Sequence, residues 1–102
     1  KLENTLNVLY NTSAVNGQLK MNWPEKVLKG DTEPGFSIDL AHKDLSLIVE
    51  AANAARVPMP VAALVRESFS AARAQGYGGK DFSAIADAHC ERASIVKPRL
   101  AS

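Results

Sequence analysis

The chain has 102 residues, a length that allows one compact domain with a modest core and is too short for two. Its residues are 46% apolar and 23% charged, a composition typical of a globular protein that excludes disordered, collagen-like and disulfide-rich chains. Because 12 basic residues are balanced by 11 acidic ones and no long apolar run occurs, we expect neither nucleic acid nor a membrane among the partners.

The first third of the chain predicts short helices. Leucines at positions 2, 6 and 9 recur at the spacing of a helix face, and turn-forming residues follow them at 11–13. Helical segments are predicted over residues 2–10, 14–21 and 23–29. Gly30 is suited to end the third segment in the left-handed conformation, and a loop is predicted to follow it.

Three further helices are predicted in the remainder, over residues 38–56, 61–75 and 82–92. Ser37 and Asp81 stand where they can cap the first and last of these, while Pro60 starts the middle one and Gly76 ends it. Residues Val61, Leu64, Val65, Ser68, Phe69 and Ala72 form the face of the middle helix that we expect to be buried. The tail after Ser94 is expected to fray. No stretch alternates with the period of a strand, so the sequence predicts an all-α multi-helix domain.

The long helix over residues 38–56 has an apolar arc formed by Leu40, Ala41, Leu45, Leu47, Ile48, Ala51, Ala52 and Ala55. Asp44 falls inside this arc and Lys43 lies at its border. We therefore expect Asp44 to be packed inward, where its lost hydration must be offset by a cation or by hydrogen-bond donors. In one interpretation, Asp44 only fixes helix packing and Lys43 is an ordinary border residue. In the other, the helix lines a cleft where Lys43 meets phosphate, carboxylate or ribose hydroxyl groups and Asp44 holds it in place.

Several motifs of the sequence resemble those of a known family. An aromatic residue, Phe36, is followed after six positions by Lys-Asp-Leu, and a Gly-x-Gly-x-Lys-Asp-Phe-Ser-Ala stretch ends at Ala84. With Val57-Pro58-Met59-Pro60 between them, these motifs are closely similar to the C-terminal helical domain of the β-hydroxyacid dehydrogenases, within the 6-phosphogluconate dehydrogenase-like superfamily. That family includes 3-hydroxyisobutyrate dehydrogenase, tartronate semialdehyde reductase and the reductases of glyoxylate and succinic semialdehyde. The resemblance covers nearly the whole chain.

The resemblance implies an enzyme that transfers a hydride between NAD or NADP and a short hydroxyacid or semialdehyde, in a cleft between two domains. Residues 1–102 would be its C-terminal substrate and dimerisation domain, in a homodimer or homotetramer. Lys43 inherits the family's cofactor-binding lysine. Phe36 and Asp44 inherit the positions that border the substrate and the nicotinamide.

Two motifs of the family are missing from this sequence: the dinucleotide-binding pattern Gly-x-Gly-x-x-Gly after a strand, and the segment that carries the catalytic lysine. We therefore expect a Rossmann domain and a linker helix to precede Lys1 in a longer protein, the general-acid lysine to lie there, and these 102 residues to be inactive alone. Without the linker helix, the domain is expected to expose an apolar groove. The identity of the hydroxyacid and the choice between NAD and NADP stay open, because residues of the other domain decide them.

The remaining candidates receive less specific interpretations. His89-Cys90-Glu91 has metal-binding side chains, but consecutive helical residues point in different directions and no second pair completes a site, so no metal is expected. His42 and the tail residues 97–99 are expected to lie in solvent. The single cysteine allows no internal disulfide, which suits the cytoplasm. The alternative function is a non-catalytic helical oligomerisation or interaction module, in which Lys43 and Asp44 form a structural ion pair.

Overall fold

The structure is a computed structural model that describes residues 1–11 and 16–100. Its α-helices are α1 (Leu2–Tyr10), α2 (Asn16–Lys20), α3 (Ile38–Ala54), α4 (Pro60–Ala74) and α5 (Ile85–Arg92). A turn of π-helix lies at Trp23–Val27 and a 3₁₀ turn at Phe82–Ala84. Within the described ranges no strand occurs, and an antiparallel bridge joins Ser37 to Asp81. The predicted all-α class is confirmed.

Helix boundaries agree with the local signals of the sequence. The backbone N–H of Leu40 donates to Ser37 Oγ at 3.2 Å, which satisfies one free amide of the first turn of α3. Pro60 opens α4, where its missing N–H is not needed. Gly30 and Gly76 end the preceding helical segments with φ of 73° and 92°. The predicted turn at 11–13 and the start of the second helix at Ala14 lie largely outside the described residues.

The main core lies where α3 packs against α4 and against the 3₁₀ turn that comes after α4 in the chain. Small residues allow the two helices to approach closely: Ala41 of α3 and Ala72 of α4 are both buried. The buried cluster consists of Ile38, Ala41, Phe69, Ala72, Tyr77, Ala84 and Ala88. This core fixes the first two turns of α3 in position, because Ile38 and Ala41 both belong to it.

The end of the C-terminal tail is held by hydrogen bonds, so the prediction that the tail frays is wrong, although Lys97 and Arg99 are exposed to solvent as predicted. The Arg99 guanidinium donates to both carboxylate oxygens of Asp87, at 3.0 and 2.7 Å, and to the carbonyl of Val27. The backbone N–H of Leu100 donates to the Leu28 carbonyl at 3.0 Å. The tail is retained because Asp87 is buried and needs a cationic partner.

One predicted helix face is buried over only part of its length. Phe69 and Ala72 of α4 are buried, whereas Val61 and Leu64, nearer its start, are 71% and 68% exposed. The helix is longer than the core that it packs against, because the core contacts only the C-terminal half of α4. Among the described helices, none is both long enough and apolar enough to cross a membrane.

Candidate functional site

Phe36 stands immediately before the N-cap of α3, and its side chain is 38% exposed. Its ring meets the ring of Phe82 edge-on, with centroids 6.2 Å apart and an interplanar angle of 66°. The Phe36 carbonyl also accepts a hydrogen bond of 2.7 Å from the Phe82 backbone N–H. One side of Phe36 is therefore anchored to the 3₁₀ turn, and the rest of the ring is available to solvent or to a ligand.

Asp81 holds the backbone on the other side of Phe36. The backbone N–H groups of Gly35 and Phe36 donate to its Oδ1 at 2.9 and 3.2 Å. Its Oδ2 accepts from the backbone N–H of Ser83 at 3.1 Å and from the Ser83 hydroxyl. Burial raises the pKa of Asp81, but the hydrogen bonds from Ser83, Phe36 and Gly35 outweigh it, and the pKa lies below its ordinary value. A buried, charged Asp81 is thus the anchor of this loop.

Asp44 is exposed, so the prediction that it packs inward is wrong. The apolar arc of α3 divides into two halves. The half that contains Ala41 and Leu45 faces the core. The half that contains Asp44 is left uncovered. Within the described part of the chain, neither the Lys43 nor the Asp44 side chain makes an ion pair or a hydrogen bond, and the structural ion pair between them that the alternative function required is absent.

Six of the exposed residues of α3 form one continuous surface, which we call the outer face: Leu40, Lys43, Asp44, Leu47, Ile48 and Ala51. Leu40 lies three residues before Lys43 and four before Asp44, and Leu47 lies four and three residues after them, so these four side chains are neighbours on the helix. Both leucines are about half exposed, at 45% and 56%. The outer face therefore presents an ammonium and a carboxylate with apolar neighbours. This combination suits a ligand that has anionic or hydroxyl groups and also an apolar surface.

His42 lies behind the outer face and is partly buried, so the expectation that it lies in solvent is wrong. Its Nε2 is 2.9 Å from Ser70 Oγ, and that hydroxyl donates to the Arg66 carbonyl. Nε2 must therefore carry the proton, which leaves Nδ1 to accept from Arg73 Nη1 at 3.2 Å. Arg73 Nε also donates to Asp39 Oδ1 at 2.7 Å. These bonds tie α3 to α4 and fix the rotation of the helix that carries Lys43.

His89, Cys90 and Glu91, which have metal-binding types of side chain, do not form a metal site among the residues that the structure describes. Glu91 accepts a hydrogen bond of 2.6 Å from the Tyr77 hydroxyl, and His89 Nδ1 contacts the Arg92 guanidinium. Cys90 is a free thiol. Across residues 1–11 and 16–100, the structure brings together no group of three or more His, Cys, Asp and Glu side chains that could hold a metal ion.

The family described as NAD-binding of NADP-dependent 3-hydroxyisobutyrate dehydrogenase matches residues 1–89 of the chain. The chain belongs to this family. The resemblance of the Phe36–Ala84 motifs to the β-hydroxyacid dehydrogenases is thereby confirmed. The matched region of this chain contains α1 to α4 and the 3₁₀ turn, and Phe36, Lys43 and Asp44 are among its residues.

Three relatives illustrate what this family member is similar to. The 3-sulfolactaldehyde reductase of Escherichia coli K12 is 51% identical over 78 residues, 76% of this chain and 26% of that protein. The 2-(hydroxymethyl)glutarate dehydrogenase of Eubacterium barkeri is 42% identical over 59 residues, 58% of this chain and 20% of that protein. The L-threonate dehydrogenase of Cupriavidus necator is 34% identical over 73 residues, 72% of this chain and 25% of that protein. The chain spans between a fifth and about a quarter of the length of these relatives.

Proposed function

We propose that these residues form the C-terminal helical domain of an NAD(P)-dependent hydroxyacid dehydrogenase that works as a homo-oligomer. In this proposal a Rossmann domain precedes Lys1 and the catalytic site lies between the two domains. The observation that carries the proposal is the outer face of α3, which leaves Lys43 and Asp44 exposed and without ion-pair partners among the described residues. Family membership over residues 1–89 supports it.

Lys43 is proposed as the cofactor-binding residue. Its exposed ammonium has three donors for phosphate or ribose oxygens, and the exposed leucines beside it exclude some of the competing water. The nicotinamide cofactor, when bound, supplies the hydride or accepts it. The residues present fit such a group, because an unpaired cation and an apolar surface stand side by side on a helix whose rotation is fixed.

Asp44 and Phe36 are proposed to border the substrate and the nicotinamide. The Asp44 carboxylate accepts hydrogen bonds and so orients a hydroxyl or amide group. The Phe36 ring shields the reacting atoms from water, since its anchored side faces Phe82 and its other side is open. Neither residue moves the substrate proton in this scheme; that step belongs to a lysine upstream of this chain, and residues 1–102 alone are inactive.

The substrate class is a small hydroxyacid or the corresponding aldehyde. The names of the relatives support this class, since they refer to 3-sulfolactaldehyde, 2-(hydroxymethyl)glutarate and L-threonate. The 51% identity to 3-sulfolactaldehyde reductase makes 3-sulfolactaldehyde the first substrate to assay.

The test is an assay of the polypeptide encoded by the complete gene, followed by nicotinamide absorbance. The panel is 3-sulfolactaldehyde with NADH or NADPH, and L-threonate, 2-(hydroxymethyl)glutarate and 3-hydroxyisobutyrate with NAD or NADP. Turnover by the complete polypeptide and none by residues 1–102 supports the proposal. No turnover and no nicotinamide binding by the complete polypeptide contradicts it and favours the non-catalytic interaction module.

A further inference from the structure

We propose that Asp81 is a positioning residue of the cleft: its buried carboxylate sets the place of Phe36, which stands directly before the N-cap of α3. This inference rests on the proposed function in assigning Phe36 to the cleft. Asp81 makes no hydrogen bond or ion pair with the side chains of Lys43 and Asp44 and acts through the backbone of residues 35–36.

The contacts of Asp81 divide between its two carboxylate oxygens. Oδ1 receives the backbone N–H groups of Gly35 and Phe36, which lie 46 and 45 residues away in sequence. Oδ2 receives two donors from Ser83, which holds the carboxylate in one orientation. Because the side chain is buried and fully charged, an oxygen that loses a donor cannot be compensated by water.

The backbone around Asp81 extends this control into α3. The Ile38 N–H donates to the Lys80 carbonyl and the Asp39 N–H to the Gly78 carbonyl, each at 2.9 Å. These two amides belong to the first turn of α3 and have no acceptor within the helix. Residues 78–81 therefore bind both the loop that carries Phe36 and the start of the helix that carries Lys43 and Asp44.

The hydrogen bond to residue 35 does not require glycine there, because a Cβ at this position would lie 3.7 Å from Asp81 Oδ1, an ordinary van der Waals distance. In a sheet, the backbone N–H groups of Gly35 and Phe36 would donate to a neighbouring strand. Here the Asp81 carboxylate is their acceptor, next to the bridge between Ser37 and Asp81.

The experiment compares Asp81→Asn with Asp87→Asn in the polypeptide encoded by the complete gene. Asp87 is the matched control, because it is also a buried, hydrogen-bonded carboxylate, but its side chain pairs with Arg99 and makes no hydrogen bond with Gly35 or Phe36. Ser83→Ala is a milder second variant that removes one donor from Oδ2 and keeps the carboxylate. It keeps the test decisive where Asp81→Asn does not fold.

Two measurements are made on each variant. Amide hydrogen exchange at Gly35 and Phe36 is expected to rise roughly tenfold or more in Asp81→Asn, and less in Ser83→Ala, without a matching rise in α5. With 3-sulfolactaldehyde, or with whichever panel substrate is turned over fastest, kcat/KM is expected to fall about tenfold in Asp81→Asn and to change little in Asp87→Asn. In a Phe36→Ala background, Asp81→Asn should cause little further loss.

The inference is overturned by unchanged exchange at residues 35–36, by an equal loss of kcat/KM in Asp87→Asn, or by additive losses in the double variant with Phe36→Ala. Failure of the proposed function has a different signature. In that case the complete polypeptide transfers no hydride at all, and the exchange measurement still decides whether Asp81 positions the loop.

Discussion

Asp87 and Arg99 form a bidentate pair in which the guanidinium nitrogens lie 3.0 and 2.7 Å from the two carboxylate oxygens. The carboxylate side chain is 7% exposed and the arginine side chain 35%. Hydrogen bonding to Asp87 raises the pKa of Arg99, so the guanidinium keeps its charge. Through the Val27 carbonyl, the same guanidinium joins the tail to the π-helical turn.

Arg99→Ala is expected to lower the free energy of unfolding by about 2 kcal/mol, because it leaves the buried Asp87 without its cation. The loss is smaller than for a fully buried pair, since water reaches part of Arg99. Urea unfolding measures it. Lys29→Ala, which removes the exposed ion pair with Glu25, is the control and should cost less than about 1 kcal/mol. Equal losses in the two variants contradict the structural role of the tail.

Asp81 is expected to make stability sensitive to acid. Its pKa is lowered in the folded protein from an ordinary value of 3.8, so the native state releases this proton more readily than the unfolded state. The stabilisation is therefore complete above that ordinary value and is lost as the pH falls below it. Urea unfolding between pH 6 and about pH 2.5 measures the change. Asp81→Asn should be less stable at pH 6 and should show a weaker decline in acid; a parallel decline in both proteins argues against this role.

Tyr77 is expected to ionise above its ordinary pKa of 10.0. The hydrogen bond that its hydroxyl donates to Glu91 is the main cause, and burial adds to it, while Lys97 acts in the opposite direction. In a Tyr10→Phe background Tyr77 is the remaining tyrosine, and its ultraviolet absorbance reports the titration directly. Glu91→Ala should lower this pKa. Glu67→Ala, which removes an exposed carboxylate paired with Arg66, should leave it unchanged.

The stability that Tyr77 contributes has the opposite pH dependence to that of Asp81. Because its pKa is raised by folding, the contribution is complete below the ordinary pKa of 10.0 and is lost as the pH rises through the higher value of the folded protein. A stability profile that shows no alkaline decline attributable to Tyr77, when compared with Tyr77→Phe, would contradict the hydrogen bond to Glu91.

The sequence predicted the helix boundaries well because their signals are local. Ser37, Pro60 and Gly76 each act on the backbone within a few residues of themselves, so neighbouring sequence is enough to interpret them. The positions of Phe36 and Lys43 relative to α3 followed from the same boundaries.

The side of α3 that is buried could not be predicted in the same way. Its apolar arc is wide enough for two interfaces. Which half is buried depends on packing against Phe69 and Ala72, about thirty positions away in the sequence. The bond from Asp81 to the backbone of Gly35 spans 46 residues, and capping chemistry predicted only its contact with Ser83. The docking of Arg99 was missed because its partner, Asp87, also lies outside its local sequence. An acidic residue at position 87 of the last helix was only a weak signal for a cationic partner.

The central claim is that the outer face of α3 meets the nicotinamide cofactor. The most direct test is the KM for NAD(P)H, with 3-sulfolactaldehyde as the first substrate, in the polypeptide encoded by the complete gene, for Lys43→Ala and for the control Lys29→Ala. Lys29 is also exposed, but it pairs with Glu25 on the π-helical turn. We expect Lys43→Ala to raise this KM about tenfold or more, from the loss of a charge-assisted hydrogen bond, with unchanged stability, and Lys29→Ala to leave it unchanged. The same KM in both variants and in the wild type would contradict the account.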